Sequence, residues 1–344
     1  MLAPDRITSS GMNKRNCSDL WWGVAFLFLL VTLGFAPVYG RYSNCWQEMD
    51  SRSVESTSSG EKYYSNAYTL IDLTNVELVT TIPELRGTEF DGNQQLLPLV
   101  LENAGTAVAE LYQKVTNVVA DERITAEEYR GNGRPNLALQ QTFSYLILTH
   151  RAAGGGEHLG ETEYLEEYRT DPVTKSHQSN SGVGEHVTLT SGFASMWLLF
   201  YPSNQSGSKF RYIGQQILNG HPNYVVGFAQ RPAEAAVTGR FNSGGRSALL
   251  LYQGLAWIDP KSSQIQKLRL DLLKPRLDVA LEKQTTEIHF GEVPLPQAAS
   301  SLWLPLEVTV TTLYDGQGYR NHHLYSNYRL FTVKTKIAPA QGNP

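Results

Sequence analysis

Cysteine is nearly absent from this chain of 344 residues: there are two, Cys17 and Cys45, both near the amino terminus. No disulfide framework can form within the body of the chain and no CxxC metal pattern exists, so burial must hold the fold together. Charge of one sign is also scarce. The net charge is −4, and removing residues 1–40 takes away three basic and two acidic side chains, leaving about −5. Phosphate backbones need clustered Lys and Arg, and no such run occurs, which excludes nucleic acid as a partner. Catalytic spacings are missing too. Among the eight histidines there is no HExxH, HxH or HxxxH. GxSxG does not occur. Gly154-Gly155-Gly156 follows no Rossmann strand and reads as a loop. Ser206-Gly207-Ser208-Lys209 fits SxxK, but it lies in a turn and lacks the SDN and KTG partners that motif requires. The sequence therefore calls for no metal, no cofactor and no catalytic residue.

What is present begins with an export signal. Lys14 and Arg15 precede an apolar stretch, Leu20 to Ala36, and a small-residue exit around Val38-Tyr39-Gly40. This is the layout of a secretory signal peptide over residues 1–40. The alternative is an uncleaved anchor, since such a stretch sits at the lower edge of spanning length. In that case the membrane is touched only through this segment. Met12 offers an alternative start that brings the positive charges close to the terminus. The expected location is the periplasm or outer cell envelope. Residues 41–66 include the polar tract Ser51 to Ser59 and read as a flexible, Ser-rich tether. Residues 67–337 are expected to form a single domain, and 338–344 a disordered tail.

Within that domain the apolar residues Leu97, Leu101, Ala104, Val108, Leu111, Val115 and Val118 recur at steps of three and four. The spacing predicts one amphipathic helix over about 98–120. Six large side chains at ~1.5–3 kcal/mol each make its burial worth on the order of 10 kcal/mol. After Asp121 the helical period gives way to short apolar or alternating runs, among them Ala194 to Tyr201, separated by Gly, Asn and Ser clusters. The plainest unit is Leu249 to Leu273: an apolar run through Trp257-Ile258, a turn at Asp259 to Ser263, then a strand. In that strand Leu268, Leu270 and Leu272 face one side and Lys267, Arg269 and Asp271 the other. Many such strands behind one helix predict a mainly β (α+β) fold: a large curved antiparallel sheet, or half-open β-barrel, with one long amphipathic helix on its concave face.

The hairpin Gly254-Leu255-Ala256-Trp257-Ile258-Asp259 and the later Trp303-Leu304-Pro305 step resemble the lipoprotein-carrier superfamily, the LolA/RseB-like half-barrels. Beyond residue 80 the lines IPELRG (Ile82 to Gly87), LTSGFAS (Leu189 to Ser195), SGSKFRYIGQQ (Ser206 to Gln216), QTTEIHFGEV (Gln284 to Val293), LWLPLEV (Leu302 to Val308) and NHHLYSNYRLF (Asn321 to Phe331) are similar to an uncharacterised family of exported bacterial proteins. That family brings no catalytic residues with it. The resemblance implies a half-barrel in the cell envelope whose partner is a lipid, a lipoprotein acyl chain or an envelope protein. This chain is longer than the carriers, with an extended front part.

Two further features bear on function. The acidic residues Glu161, Glu163, Glu166 and Glu167 could pair as carboxylates, though a charged strand edge or loop is the commoner role. The aromatic residues Trp257, Phe228, Tyr224, Trp303 and Tyr212 sit in expected strands. They are candidates to line an amphiphile pocket between helix and sheet; otherwise they fill the core beneath the helix. In the second case the protein is a structural or interaction module with a filled core.

Overall fold

The computed structural model describes residues 62–115, 117–129, 135–150, 164–171, 177–178, 182–183, 188–189, 192–243, 246–295 and 301–330. The signal segment, most of the tether and the tail lie outside the described residues, as do Glu161 and Glu163.

In chain order the elements are α1 (Asn75–Thr81), β1 (Glu89–Phe90), α2 (Leu97–Lys114), β2 (Val118–Tyr129), β3 (Pro135–His150), β4 (Tyr164–Thr170), β5 (His177–Gln178), β6 (Gly182–Val183), β7 (Thr188–Leu189), β8 (Ser208–Leu218), β9 (His221–Gln230), β10 (Gly239–Ser243), β11 (Arg246–Leu250), β12 (Tyr252–Ile258), β13 (Ile265–Leu272), β14 (Leu281–Val293), β15 (Leu302–Tyr314) and β16 (Gln317–Leu330). Twelve of these strands make one antiparallel sheet in the order β1-β8-β9-β12-β13-β14-β15-β16-β2-β3-β4-β5; β6–β7 and β10–β11 are separate two-stranded ladders. The outer strands β1 and β5 are not paired with each other, so the sheet is open. It is also bent. Helix α2 touches both β8 and β15, which lie five strand steps, about 24 Å, apart across the sheet. A helix about 10–12 Å wide reaches both only if the sheet curls around it.

The hairpin expected at 249–273 is the β12–β13 pair, with Gly254 opposite Leu270 and Ala256 opposite Leu268. Its centre admits no side chain at Gly254: a Cβ there would stand 1.8 Å from the Arg269 carbonyl oxygen.

Three boundaries differ from expectation. The helix ends at Lys114, six residues early: Val115 is already extended (φ −66°, ψ 117°), and Val118 opens β2 opposite Ile147. The run Val115 to Val119 is rich in β-branched residues, and strand pairing overrode a spacing that happened to continue the helical stripe. The run from Ala194 to Tyr201, expected as a strand, is instead a 3-10 helix, Phe193–Phe200. It is apolar on every side, and periodicity cannot separate a buried strand from a buried helical turn in so short a run. The described part of the stretch expected as a tether, residues 62–66, packs on the domain. Tyr64 is buried against Ala229, Leu251 and Leu273, and its hydroxyl donates to the Leu249 carbonyl at 2.9 Å.

The extended front part covers the convex face. Leu70, Leu78, Ile82 and Leu85 pack there on Ile213, Val225, Leu255 and Trp257. Helix α1 is started by a capping box between Thr74 and Glu77. The next turn brings Glu84 to an ion pair with both Lys267 and Arg269.

Candidate functional site: the concave face and its rim

Helix α2 lies on the concave face through Val100, Ala104, Val108, Leu111 and Tyr112, in one apolar cluster with Val226, Phe228, Leu268, Ile288, Val308 and residues beside them. The helix does not fill the hollow alone. The 3-10 segment Phe193–Phe200 runs through the same cluster with seven of its eight side chains buried. A second short 3-10 turn, Pro202–Gly207, follows it. Where helix and segment cross, Gly105 permits the approach: a Cβ there would meet Gln205 Nε2 at 2.6 Å and the Phe200 carbonyl oxygen at 3.2 Å.

Side chains clasp the segment at both ends. At its start the Glu167 carboxylate accepts the backbone N–H of Gly192 at 2.8 Å and of Ala194 at 3.0 Å, and the Tyr145 hydroxyl. At its end the Gln205 amide donates to the carbonyls of Phe200 and of Leu101 in α2, each at 2.9 Å, and Asn204 Nδ2 donates to the Leu198 carbonyl at 2.9 Å.

Beneath the start of the segment lies a buried polar cluster. Arg169 holds Glu122 with two hydrogen bonds, Nε to Oε2 at 2.5 Å and Nη2 to Oε1 at 2.8 Å. Both side chains are fully buried. His323 Nδ1 lies 2.9 Å from the same carboxylate, and the Tyr325 hydroxyl donates to it at 2.8 Å. Burial opposes ionisation of Glu122, but the Arg169 charge and the His323 hydrogen bond overcome it and hold the carboxyl at about 2. Desolvation has the upper hand at the other two groups. It raises Glu167 despite its hydrogen bonds and lowers His323 below the usual imidazole range. Two polar atoms of the cluster, Arg169 Nη1 and His323 Nε2, have no hydrogen-bond partner among the described residues. Phe193 packs edge-on against the His323 ring, centroids 5.0 Å apart. A general base needs a hydroxyl or water within reach of its free nitrogen; here that nitrogen is buried. The cluster therefore reads as a structural core feature.

At the rim the hollow opens. A cleft of about 260 Å³ lies between the carboxy-terminal half of α2 and the β14–β15 edge, with Ala107, Leu111, Leu302 and Trp303 as apolar lining. Glu110, Lys114, Glu292 and the hairpin turn at Ser262 to Gln264 give it a polar margin. Trp303 is fixed by its Nε1, which donates to the Ile265 carbonyl at 2.7 Å.

The aromatic residues expected to line one pocket are divided. Phe228 and Tyr212 belong to the concave cluster, Tyr224 and Trp303 pack against its margin, and Trp257 belongs to the opposite face. The register gives the reason. Ile258 and Ala256 oppose Tyr224 and Val226, so Trp257, opposite Val225, points to the other side. There it packs under the front segment and donates Nε1 to Gln216 at 2.6 Å. Phe228 and Tyr212 are closed off from solvent; Tyr224 and Trp303 are half-buried. The parity argument also separates the neighbouring histidines: His323 is in the core and His322 faces out, 2.7 Å from Glu307. The sequence reading missed Arg169 and took Glu167 for a charged strand edge or loop. Alternation was the available signal, since Leu165, Glu167 and Arg169 share one parity in β4.

An open, bent antiparallel sheet with a single long helix in its hollow is a half-open β-barrel. Similar solved structures include a domain described as an outer membrane lipoprotein-sorting protein from Vibrio parahaemolyticus (12% identity, 69% of this chain and 95% of that chain, TM-score 0.37). A DUF1329 family protein from Desulfovibrio piger (9%, 69% and 94%, TM-score 0.38) and a LolA superfamily protein from Nitrosomonas europaea (11%, 69% and 94%, TM-score 0.32) are similar in the same way. No protein-family model matches the chain. No curated protein matches it either.

Proposed function

We propose that this is an exported, non-catalytic binding protein of the cell envelope that takes an amphiphile between α2 and the curved sheet, entering at the rim. The cleft beside Trp303 carries the reading. It has an apolar floor continuous with the concave core and a charged margin at Glu110, Lys114 and Glu292, which suits a molecule with one oily and one polar end. The test is native mass spectrometry of the purified full chain before and after solvent extraction, followed by titration with dodecanoate. An adduct lost on extraction and restored by dodecanoate is expected. Trp303→Ala, which removes apolar contact worth ~1.5 kcal/mol or more, should weaken binding by about tenfold. An unchanged mass and no dodecanoate binding would refute the reading.

A second reading has its own observation. Phe228 and Tyr212 are closed off by the chain itself, which suits a filled-core module docking an envelope protein. It predicts the unchanged mass.

A further inference from the structure

The segment 192–207 is built unlike the rest of the domain. Its eight-residue 3-10 helix, followed by another 3-10 turn, is longer than that geometry sustains by itself, because its hydrogen bonds are poorly aligned. Two of its polar groups, Trp197 Nε1 and Ser203 Oγ, are buried without a partner among the described residues. It belongs to no sheet ladder. What holds it is apolar burial, the Glu167 clasp at one end, and at the other the Gln205 bond to Leu101 in α2 and the bond from the Arg231 backbone N–H to the Gly207 carbonyl at 2.8 Å. A buried segment with side-chain clasps and unsatisfied polar atoms is the type of unit that opens below the cost of global unfolding.

We propose that residues 192–207 are a displaceable plug, which occupies the concave seat of an aliphatic chain and leaves it as a unit when its two clasps release. The inference rests on the amphiphile reading above and adds the gate to it. The plug presents Phe193, Met196, Trp197, Leu199 and Phe200 to the sheet and helix, so the surface it uncovers is apolar and takes an acyl chain of the same character. Rim and centre then form one site. The polar end stays at the rim margin, where Lys114 is paired with Glu110 at 3.6 Å, and the chain replaces the plug beneath α2. Because the chain competes with the plug, affinity is set by the fraction of molecules in which the plug is out.

The test is hydrogen exchange by mass spectrometry on the full chain, with and without dodecanoate, in wild type, Gln205→Ala and Glu167→Gln. Gln205→Ala removes the side-chain bond that ties the plug to Leu101 in α2, together with a bond to Phe200 within the plug, and Glu167→Gln keeps the shape while altering the other clasp. Dodecanoate should speed exchange of 193–200 at least severalfold while β12–β15 stay protected, and Gln205→Ala should bind dodecanoate about tenfold tighter. Binding by the variants alone would equally support a plug whose clasps dominate. If dodecanoate binds wild type while 193–200 stays protected, and both variants bind no tighter, the ligand sits at the rim only. The plug is then refuted and the amphiphile reading stands. If neither wild type nor variants bind, both fall.

Discussion

Replacing Arg169 by methionine keeps much of the aliphatic volume and removes the only cation hydrogen-bonded to Glu122 among the described residues. Both partners are fully buried, and the pair is bidentate. Breaking a buried pair from one side leaves an uncompensated carboxylate, which costs about 3–5 kcal/mol. His323 and Tyr325 remain to satisfy one carboxylate oxygen, which places the expected loss toward the lower end. At about 2–4 °C per kcal/mol for a domain of this size, the melting temperature should fall by on the order of 10 °C. The double variant Glu122→Leu/Arg169→Met should recover part of that, since no buried charge is left, but not all, since His323 and Tyr325 lose their acceptor. Urea unfolding followed by far-ultraviolet circular dichroism measures wild type and both variants on one scale. A loss below about 1 kcal/mol, the worth of an exposed pair, would mean that water reaches the cluster and that the buried-network account is wrong.

Three further outcomes are expected. Glu122, held at about 2 against 4.5 for an exposed glutamate, contributes stability that is full above 4.5 and lost as pH falls from there through 2; His323, held below 6.5, adds a loss starting as pH drops below 6.5. Glu167, raised by burial, acts in the opposite sense and costs stability as pH rises above 4.5. Urea midpoints from about pH 7 to about pH 3 should therefore fall on acidification in wild type and fall less in Glu122→Gln. Gly254→Ala drives a methyl into the Arg269 carbonyl oxygen and should cost about 3 kcal/mol or more, visible as a lower urea midpoint or as insoluble protein. Trp257→Phe loses the Gln216 hydrogen bond and the Lys267 contact on the convex face; it should speed proteolysis within 67–96 and leave dodecanoate binding unchanged.

The sheet was legible in the sequence because one face of each strand is wet. Leu268, Leu270 and Leu272 alternating with Lys267, Arg269 and Asp271 fix β13 without any knowledge of its neighbours. The same alternation placed His322 and His323 on opposite sides. The concave filling was not legible. Residues 193–200 carry no period, since every side of the segment is buried, and only the choice of partners made it helical. Glu167 and Arg169 were hidden for the converse reason: charged side chains read as solvent-facing until a counter-charge from a distant strand, Glu122 in β2, is brought to meet them. Trp257 differs from Phe228, Tyr212 and Tyr224 by parity, which puts it on the convex face, and aromatic character alone does not carry that distinction.

The neighbour of β2 in the sheet is β16, with Ile124 opposite His323. The earliest long strand and the latest one thus form a seam in the middle of the layer, joining two otherwise sequential meanders. Loop closure on that scale is slow, and nothing short of it unites the two halves. A chain lacking residues 317–330 has no β16 to stand between β15 and β2 and cannot complete the layer. Strand order thus makes the joining of the two halves wait on β16, and a chain with this strand intact is the shortest that can close the seam.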